Sequence, residues 1–178
     1  LHVRSRRQRQ MCIRDRTMSG YLDARPRVGY FYTGKEPAEV LTSKIRNILV
    51  RDVQSLPIVI KEDTSIYEAI VKMFLEDVGT LYAIDDDRDL VGVISRKDLL
   101  KGTMGKNDIE KTPVSIIMTR KPHITTCYPN DLLIYAANQL IEKQIDSIPV
   151  IDKDADKDIV IGRITKTNIT KVFVNLME

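Results

Sequence analysis

Tryptophan is absent from this 178-residue chain, aromatic residues make up 6% of it, and there are only two Cys and two His. Cys12 and Cys127 are too few for a disulfide framework and have no metal-ligand spacing, which suits a reducing cytosol. His2 and His123 cannot complete a metal site with them, and no His–Cys pairing supplies a nucleophile with its base. A Gly-rich phosphate loop of the Walker or Rossmann kind is also missing, so an enzyme is not expected. No run of about eighteen apolar residues occurs, and no membrane span is expected. What is present is a globular composition, 43% hydrophobic and 30% charged, with room for one or two small domains and a core.

The formal charge of +3 is misleading. Residues 1–16 hold six Arg against one Asp, a net +5, which leaves residues 17–178 with 22 basic and 24 acidic side chains, a net −2. This tail has neither helical periodicity nor strand alternation, and it does not start with Met. Its composition fits a nucleic-acid-binding arm or a targeting segment. It also resembles the Arg/Gln-rich peptides that arise when sequencing-adapter DNA is translated. It is set aside as an unstructured tail.

One stretch is said twice. Gly92-Val93-Ile94-Ser95-Arg96-Lys97-Asp98 returns seventy residues later as Gly162-Arg163-Ile164-Thr165-Lys166-Thr167-Asn168. Each copy reads as glycine, a short strand, then a hydroxyl residue where a helix begins. Ser95 and Thr165 are natural N-caps, and a helix N-terminus favours anions such as phosphate. Asp98 falls in the first helical turn, where a carboxylate can take both hydroxyls of a ribose.

In chain order, Tyr21–Tyr32 reads as a β-hairpin punctuated by Pro26 and Gly29, the remnant of a larger domain or a linker over 17–35. A connecting helix is expected over 36–53, with Val40, Leu41, Ile45, Ile48 and Leu49 on its apolar face. The repeat then begins. Strand Pro57-Ile58-Val59-Ile60 is echoed by Pro122-His123-Ile124-Thr125. Helix starts are expected at Asp63-Thr64-Ser65 and Pro129-Asn130-Asp131. Ile66, Ala69, Ile70, Met73 and Phe74 make one buried stripe, repeated by Leu133, Ala136, Ala137, Leu140 and Ile141. Strands Thr80–Asp85 and Ser147–Asp152 follow, then the acidic turns Asp86–Asp89 and Lys153–Asp158. Strands Leu90–Ile94 and Ile159–Ile164 lead into the duplicated motif. The order is β-α-β-β-α in each unit, over 54–103 and 118–178 with a linker at 104–117, and two such half-modules need each other's faces.

The paired units, the Ile148-Pro149-Val150-Ile151-Asp152 strand and the Gly-x-x-Ser/Thr-x-x-Asp ending resemble a tandem cystathionine-β-synthase (CBS) domain pair over about residues 50–175. The resemblance implies an α+β fold with pseudo-two-fold symmetry, often dimerised further, that binds adenosine nucleotides in clefts between repeats. In one cleft it places Asp98 on the ribose, with Ser95 and Lys97 on the same helix start. Ile124, Thr125, Ile145 and Pro149 of the second repeat flank the base. Asp146 and Ser147 stand where other members often carry basic phosphate contacts, leaving Arg96, Lys97 or Lys166 to supply that charge. The other cleft, with Thr165 and Lys166, has Asn168 in place of Asp and loses charge-assisted strength, so the two sites are expected to be unequal.

The flanks, Leu22–Tyr32, Gly105-Lys106-Asn107-Asp108 and Pro113–Arg120, are similar to catabolite control protein N-type repressors of Gram-positive bacteria. Those place a winged helix ahead of a CBS pair and repress gluconeogenic genes according to nucleotide state. The resemblance implies a cytoplasmic, homodimeric sensor of ATP, ADP or AMP that meets DNA only through a winged helix missing from this sequence. Two other functions compete: a CBS pair regulating an enzyme or transporter, and a nucleotide-blind dimerisation module.

Overall fold

The computed structural model describes residues 43, 45–105, 108–154 and 157–177, with backbone alone at 153, 154 and 177. The chain divides after Ala38, and every described residue belongs to its second unit, Glu39–Glu178. The Arg-rich tail, the Tyr21–Tyr32 hairpin and the first part of the helix expected over 36–53 lie outside the described residues.

The first repeat runs β1 (Val59–Lys61), α1 (Ile66–Leu75), β2 (Thr80–Ile84), β3 (Leu90–Ser95) and α2 (Arg96–Met104). Helix α1 starts at Ser65 through a capping box: Glu68 N–H donates to Ser65 Oγ (3.1 Å) and Ser65 N–H donates to Glu68 Oε2 (3.2 Å). β1 lies parallel to β2, and β2 antiparallel to β3. The second repeat contributes β4 (Thr119–Arg120), α3 (Leu133–Glu142), β5 (Ser147–Asp154), β6 (Lys157–Thr165) and α4 (Lys166–Met177). β5 and β6 form an antiparallel pair. The fold is the expected α+β pair of repeats.

Each repeat is completed by the segment that precedes the other one. The 3-10 turn Val50–Asp52 comes before the first repeat, yet Val50 is fully buried in the second core, with Leu133, Leu140, Ile148 and Ile164. The 3-10 turn Val114–Ile116 comes before the second repeat, yet Val114 is fully buried in the first core, with Ile66, Leu81 and Ile94. Burial of one such side chain is worth about 1.5–3 kcal/mol. The backbone follows suit. β4 pairs with β3, and Ser55 bridges Arg163. Ile66 N–H donates to Thr112 O (2.9 Å), and Leu133 N–H donates to Ile48 O (2.8 Å), so each incoming segment satisfies the first turn of the opposite helix.

This exchange explains the two glycines of the duplicated motif. A Cβ at Gly92 would lie 2.7 Å from Met118 Cγ, and one at Gly162 would lie 2.8 Å from Gln54 Cδ. Both are sites where another segment crosses the strand too closely for a side chain. A third cluster, Tyr82, Leu90 and Ile151 with Val59, Val93, Ile124 and Val160, joins the repeats.

Several expectations need correction. The helix expected to reach Val53 has already ended: Ser43, Ile45 and Arg46 are helical, but Leu49 bridges Leu132. Beyond it, Val50 N–H donates to Asp131 O and Arg51 N–H to Pro129 O (2.9 and 3.0 Å), so these amides are unavailable to a helix. The strand expected at Pro122–Thr125 is not formed. Its place is taken by a single parallel bridge from Cys127 to Val150, since Pro122 has no N–H to give a ladder. The expected turn Lys153–Asp158 is partly strand, with Lys153 opposite Asp158 and Asp154 opposite Lys157. Phe74 and Ile141 are 83% and 71% exposed, outside the buried stripes of α1 and α3. Eight residues at 3.6 per turn carry them well round from the first position of each stripe.

Candidate nucleotide cleft

β3 delivers Ser95 in an extended conformation (φ −99°, ψ 166°) to the first turn of α2. Asp98 N–H donates to Ser95 Oγ (3.3 Å), and Asp98 Oδ2 accepts from Ser95 N–H (2.9 Å) and Ser95 Oγ–H (2.6 Å). The box locks the Asp98 side chain over the helix N-terminus through one carboxylate oxygen. The other oxygen has no partner among the described residues, and the residue is half-buried. Lys97 stands exposed on the same turn. Arg96 donates from Nε to Val78 O (3.4 Å) and lies over Gly79, where a Cβ would be 3.6 Å from that nitrogen. No carboxylate pairs with Arg96 among the described residues.

The second copy is built alike but ends differently. Asn168 Oδ1 accepts from Thr165 N–H (3.0 Å) and Thr165 Oγ1–H (2.5 Å), while Asn168 Nδ2 donates to Val53 O (3.1 Å). Lys166 is held by Asp146 at 2.7 Å. Gly79 and Asp146 occupy equivalent positions, so the cation following Ser95 faces a glycine and the one following Thr165 faces an acid. Of the three candidates for a phosphate contact, Lys166 is the one already neutralised.

The structure brings together Ser95 with Asp98, Thr165 with Asn168, and Lys166 with Asp146. It does not bring any second-repeat candidate into hydrogen-bond contact with Asp98. Ile124 packs in the joint between the repeats, beside Tyr82, Leu90 and Ile151. Thr125 is half-buried between it and Cys127. Pro149 is buried, and its carbonyl accepts from Cys127 N–H (3.1 Å). Ile145 packs against the second core just after α3. Ser147 is hydrogen-bonded to the Tyr82 hydroxyl across the joint.

Tyr82 is the residue the sequence reading missed. It sits fully buried at the position that Pro149 holds in the other repeat, and burial pushes its phenol far above the usual range. A polar-tipped aromatic inside the apolar Thr80–Ile84 run was the available signal. Lys121 was missed as well. It is held by Asp89 (3.0 Å) and Asp158 (2.9 Å), and Asp158 N–H donates to Asp89 Oδ1 (2.7 Å), which braces the two hairpins. Among the described residues no group of three or more His, Cys, Asp or Glu could hold a metal ion. An open depression of about 430 Å³ beside β1 and α1, lined by Lys61, Thr64, Glu68 and Lys72, contains none of the candidate residues.

Two β-α-β-β-α repeats that trade segments and carry a capped Ser/Thr-x-x-Asp/Asn at the second helix of each define a class. The CBS domain family model matches residues 48–105 and 114–175, and the chain belongs to that family as a tandem pair. Within it, the transcriptional repressor CcpN of Bacillus subtilis (strain 168) is 57% identical over 163 residues, spanning 91% of this chain and 76% of that protein. A homoserine O-acetyltransferase of Methanohalobium evestigatum is 31% identical over 128 residues, and there the chain spans 24% of the relative's length. Among solved structures, the CBS domain pair of protein MJ0100, in complex with 5′-methylthioadenosine and S-adenosyl-L-methionine, superposes with a TM-score of 0.63 at 27% identity, covering 72% of this chain and 97% of that one. No helix among the described residues is long and apolar enough to cross a membrane.

Proposed function

We propose that this chain is the adenine-nucleotide-sensing regulatory module of a transcriptional repressor controlling carbon metabolism. One nucleotide, ATP, ADP or AMP, binds mainly through the cleft containing Asp98. The observation that carries this reading is the half-engaged carboxylate: Ser95 holds Oδ2, and the remaining oxygen has no partner among the described residues. It is an acceptor fixed in place and open to a ribose diol. Arg96 and Lys97, with the positive end of α2, favour the phosphates. The likeness to CcpN and the adenosine-type ligands of the MJ0100 pair support the same assignment. In this reading the CBS pair adjusts a DNA-binding winged helix N-terminal to it, and the protein works in the cytoplasm.

The outer faces of the helices support a homodimer. Tyr67, Phe74 and Leu75 on α1, Tyr135 and Ile141 on α3, and Phe173 on α4 are exposed apolar side chains. Phe74→Asp combined with Ile141→Asp should shift sedimentation toward the monomer.

Calorimetric titration of ATP, ADP and AMP into wild type and Asp98→Ala tests the site. Loss of a charge-assisted pair is worth about 1.5–3 kcal/mol, or roughly ten- to a hundred-fold in affinity. Equal affinity in the two folded proteins would remove the assignment. Absence of heat with every adenine nucleotide would favour the nucleotide-blind module.

A further inference from the structure

We infer that Asn168 is a latch that fastens the segment entering the first repeat onto the second repeat, and that the second cleft is thereby closed to a ribose. The inference starts from the difference between an amide and a carboxylate at one position of the duplicated motif. In both copies one side-chain oxygen of this residue caps its own helix, accepting from the backbone N–H and the hydroxyl of the Ser or Thr three residues earlier. Those two bonds fill the lone pairs of that oxygen. In Asp98 a second oxygen remains. In Asn168 the corresponding atom is an NH2 group, and it donates to Val53 O at 3.1 Å. A carboxylate cannot make this bond.

Val53 lies at the centre of the stretch that the second repeat already grips. Before it, Val50 N–H and Arg51 N–H donate to Asp131 O and Pro129 O, and Arg51 also donates to Asn130 Oδ1 (2.9 Å). After it, Ser55 exchanges both backbone bonds with Arg163, N–H to O at 3.0 and 2.9 Å. Asn168 closes the gap between these two grips. Residues 48–55 are the stretch by which the chain arrives at the pair from its N-terminal side, so the latch decides how firmly the second repeat holds that arrival. A ribose at this cleft would have to displace either the helix cap or the latch.

Asn168→Asp is the informative variant, because it keeps the capping oxygen and replaces the donor to Val53 with an oxygen that repels that carbonyl. Hydrogen exchange followed by mass spectrometry on the full chain should show faster exchange of the peptide spanning 49–56, by about five- to tenfold for one hydrogen bond. Peptides from α3 and β5 should keep their wild-type rates, which confirms that the second repeat of the variant is folded. Unchanged exchange at 49–56 would overturn the latch. Titration of wild type with ATP provides the second arm, which rests on the proposed nucleotide site: one nucleotide per chain is expected, and two per chain would overturn the closure. If wild type binds none, the functional reading fails, while the exchange measurement still decides the latch.

Discussion

Exchanging Gln54 for methionine should make this protein more stable. Gln54 lies against Gly162 in the same slot where Met118 lies against Gly92. Its Oε1 is buried with no hydrogen-bond partner, the only such side-chain atom among the described residues. A buried, unsatisfied polar group costs about 1–3 kcal/mol. Met has nearly the volume of Gln, so the swap leaves packing intact, and the other repeat shows that a thioether fits this geometry. Gln54→Met should therefore raise stability by about 1–2 kcal/mol, which for a chain of this size is a rise of about 2–8 °C in the thermal midpoint. The reciprocal change, Met118→Gln, places an amide in the matching slot of the first repeat and should lower stability by about 1–3 kcal/mol. Urea and thermal denaturation of wild type and both variants decide the matter. If Gln54→Met is neutral or destabilising while Met118→Gln is harmless, the symmetry of the two crossings does not govern their energetics.

The Lys121 brace gives a pH dependence of defined sign. Burial works against the charge on Asp89, but the Asp158 N–H and Lys121 outweigh it and hold the carboxyl below its usual range; burial likewise opposes the Lys121 charge, but Asp158 and Asp89 raise its pKa. The Asp89 contribution is complete above the unfolded value of about 3.9 and is lost as pH falls through the folded one, whereas the Lys121 contribution is complete below about 10.4 and is lost as pH rises through its folded value. Lys121→Met should flatten the acid limb of midpoint against pH, and an equally steep limb would contradict the brace. Gln144 ends α3 with φ 53°, a left-handed conformation that costs a side-chain residue roughly 1 kcal/mol; Gln144→Gly should raise the urea midpoint, and a lower midpoint would show that its side chain is needed. Cys127 is buried, and burial pushes its thiol up to about 12. Alkylation of Cys127 at pH 7, read on its own peptide apart from Cys12, should proceed only as fast as the protein opens, and labelling at the rate of a free thiol would show an exposure the structure does not have.

The repeat, most of its element types and the fold class were legible in the residues. A 3.6 spacing of apolar positions, a hydroxyl before three of the helices (Ser65, Ser95 and Thr165) and a doubled Gly-x-x-Ser/Thr-x-x-Asp/Asn are local patterns, and local patterns survive in one dimension. Ser65, Ser95 and Thr165 bond residues three positions away, so their capping could be read directly. The bonds that Asp98 returns to Ser95 were not foreseen, although they join the same two residues three positions apart.

Everything that depends on distant segments was settled by tertiary structure. Val50 buries itself in the second core and Val114 in the first, and no local pattern says which repeat a flanking turn will complete. The helix expected through Val53 gave way because its amides met Asp131 and Pro129, some eighty residues on. Phe74 stayed outside because a helix face is only as wide as what packs against it. The same reason separates Asp98 from Asn168. Sequence shows that one is an acid and the other an amide, but only the approach of Val53, 115 residues away, shows where the amide's extra donor goes.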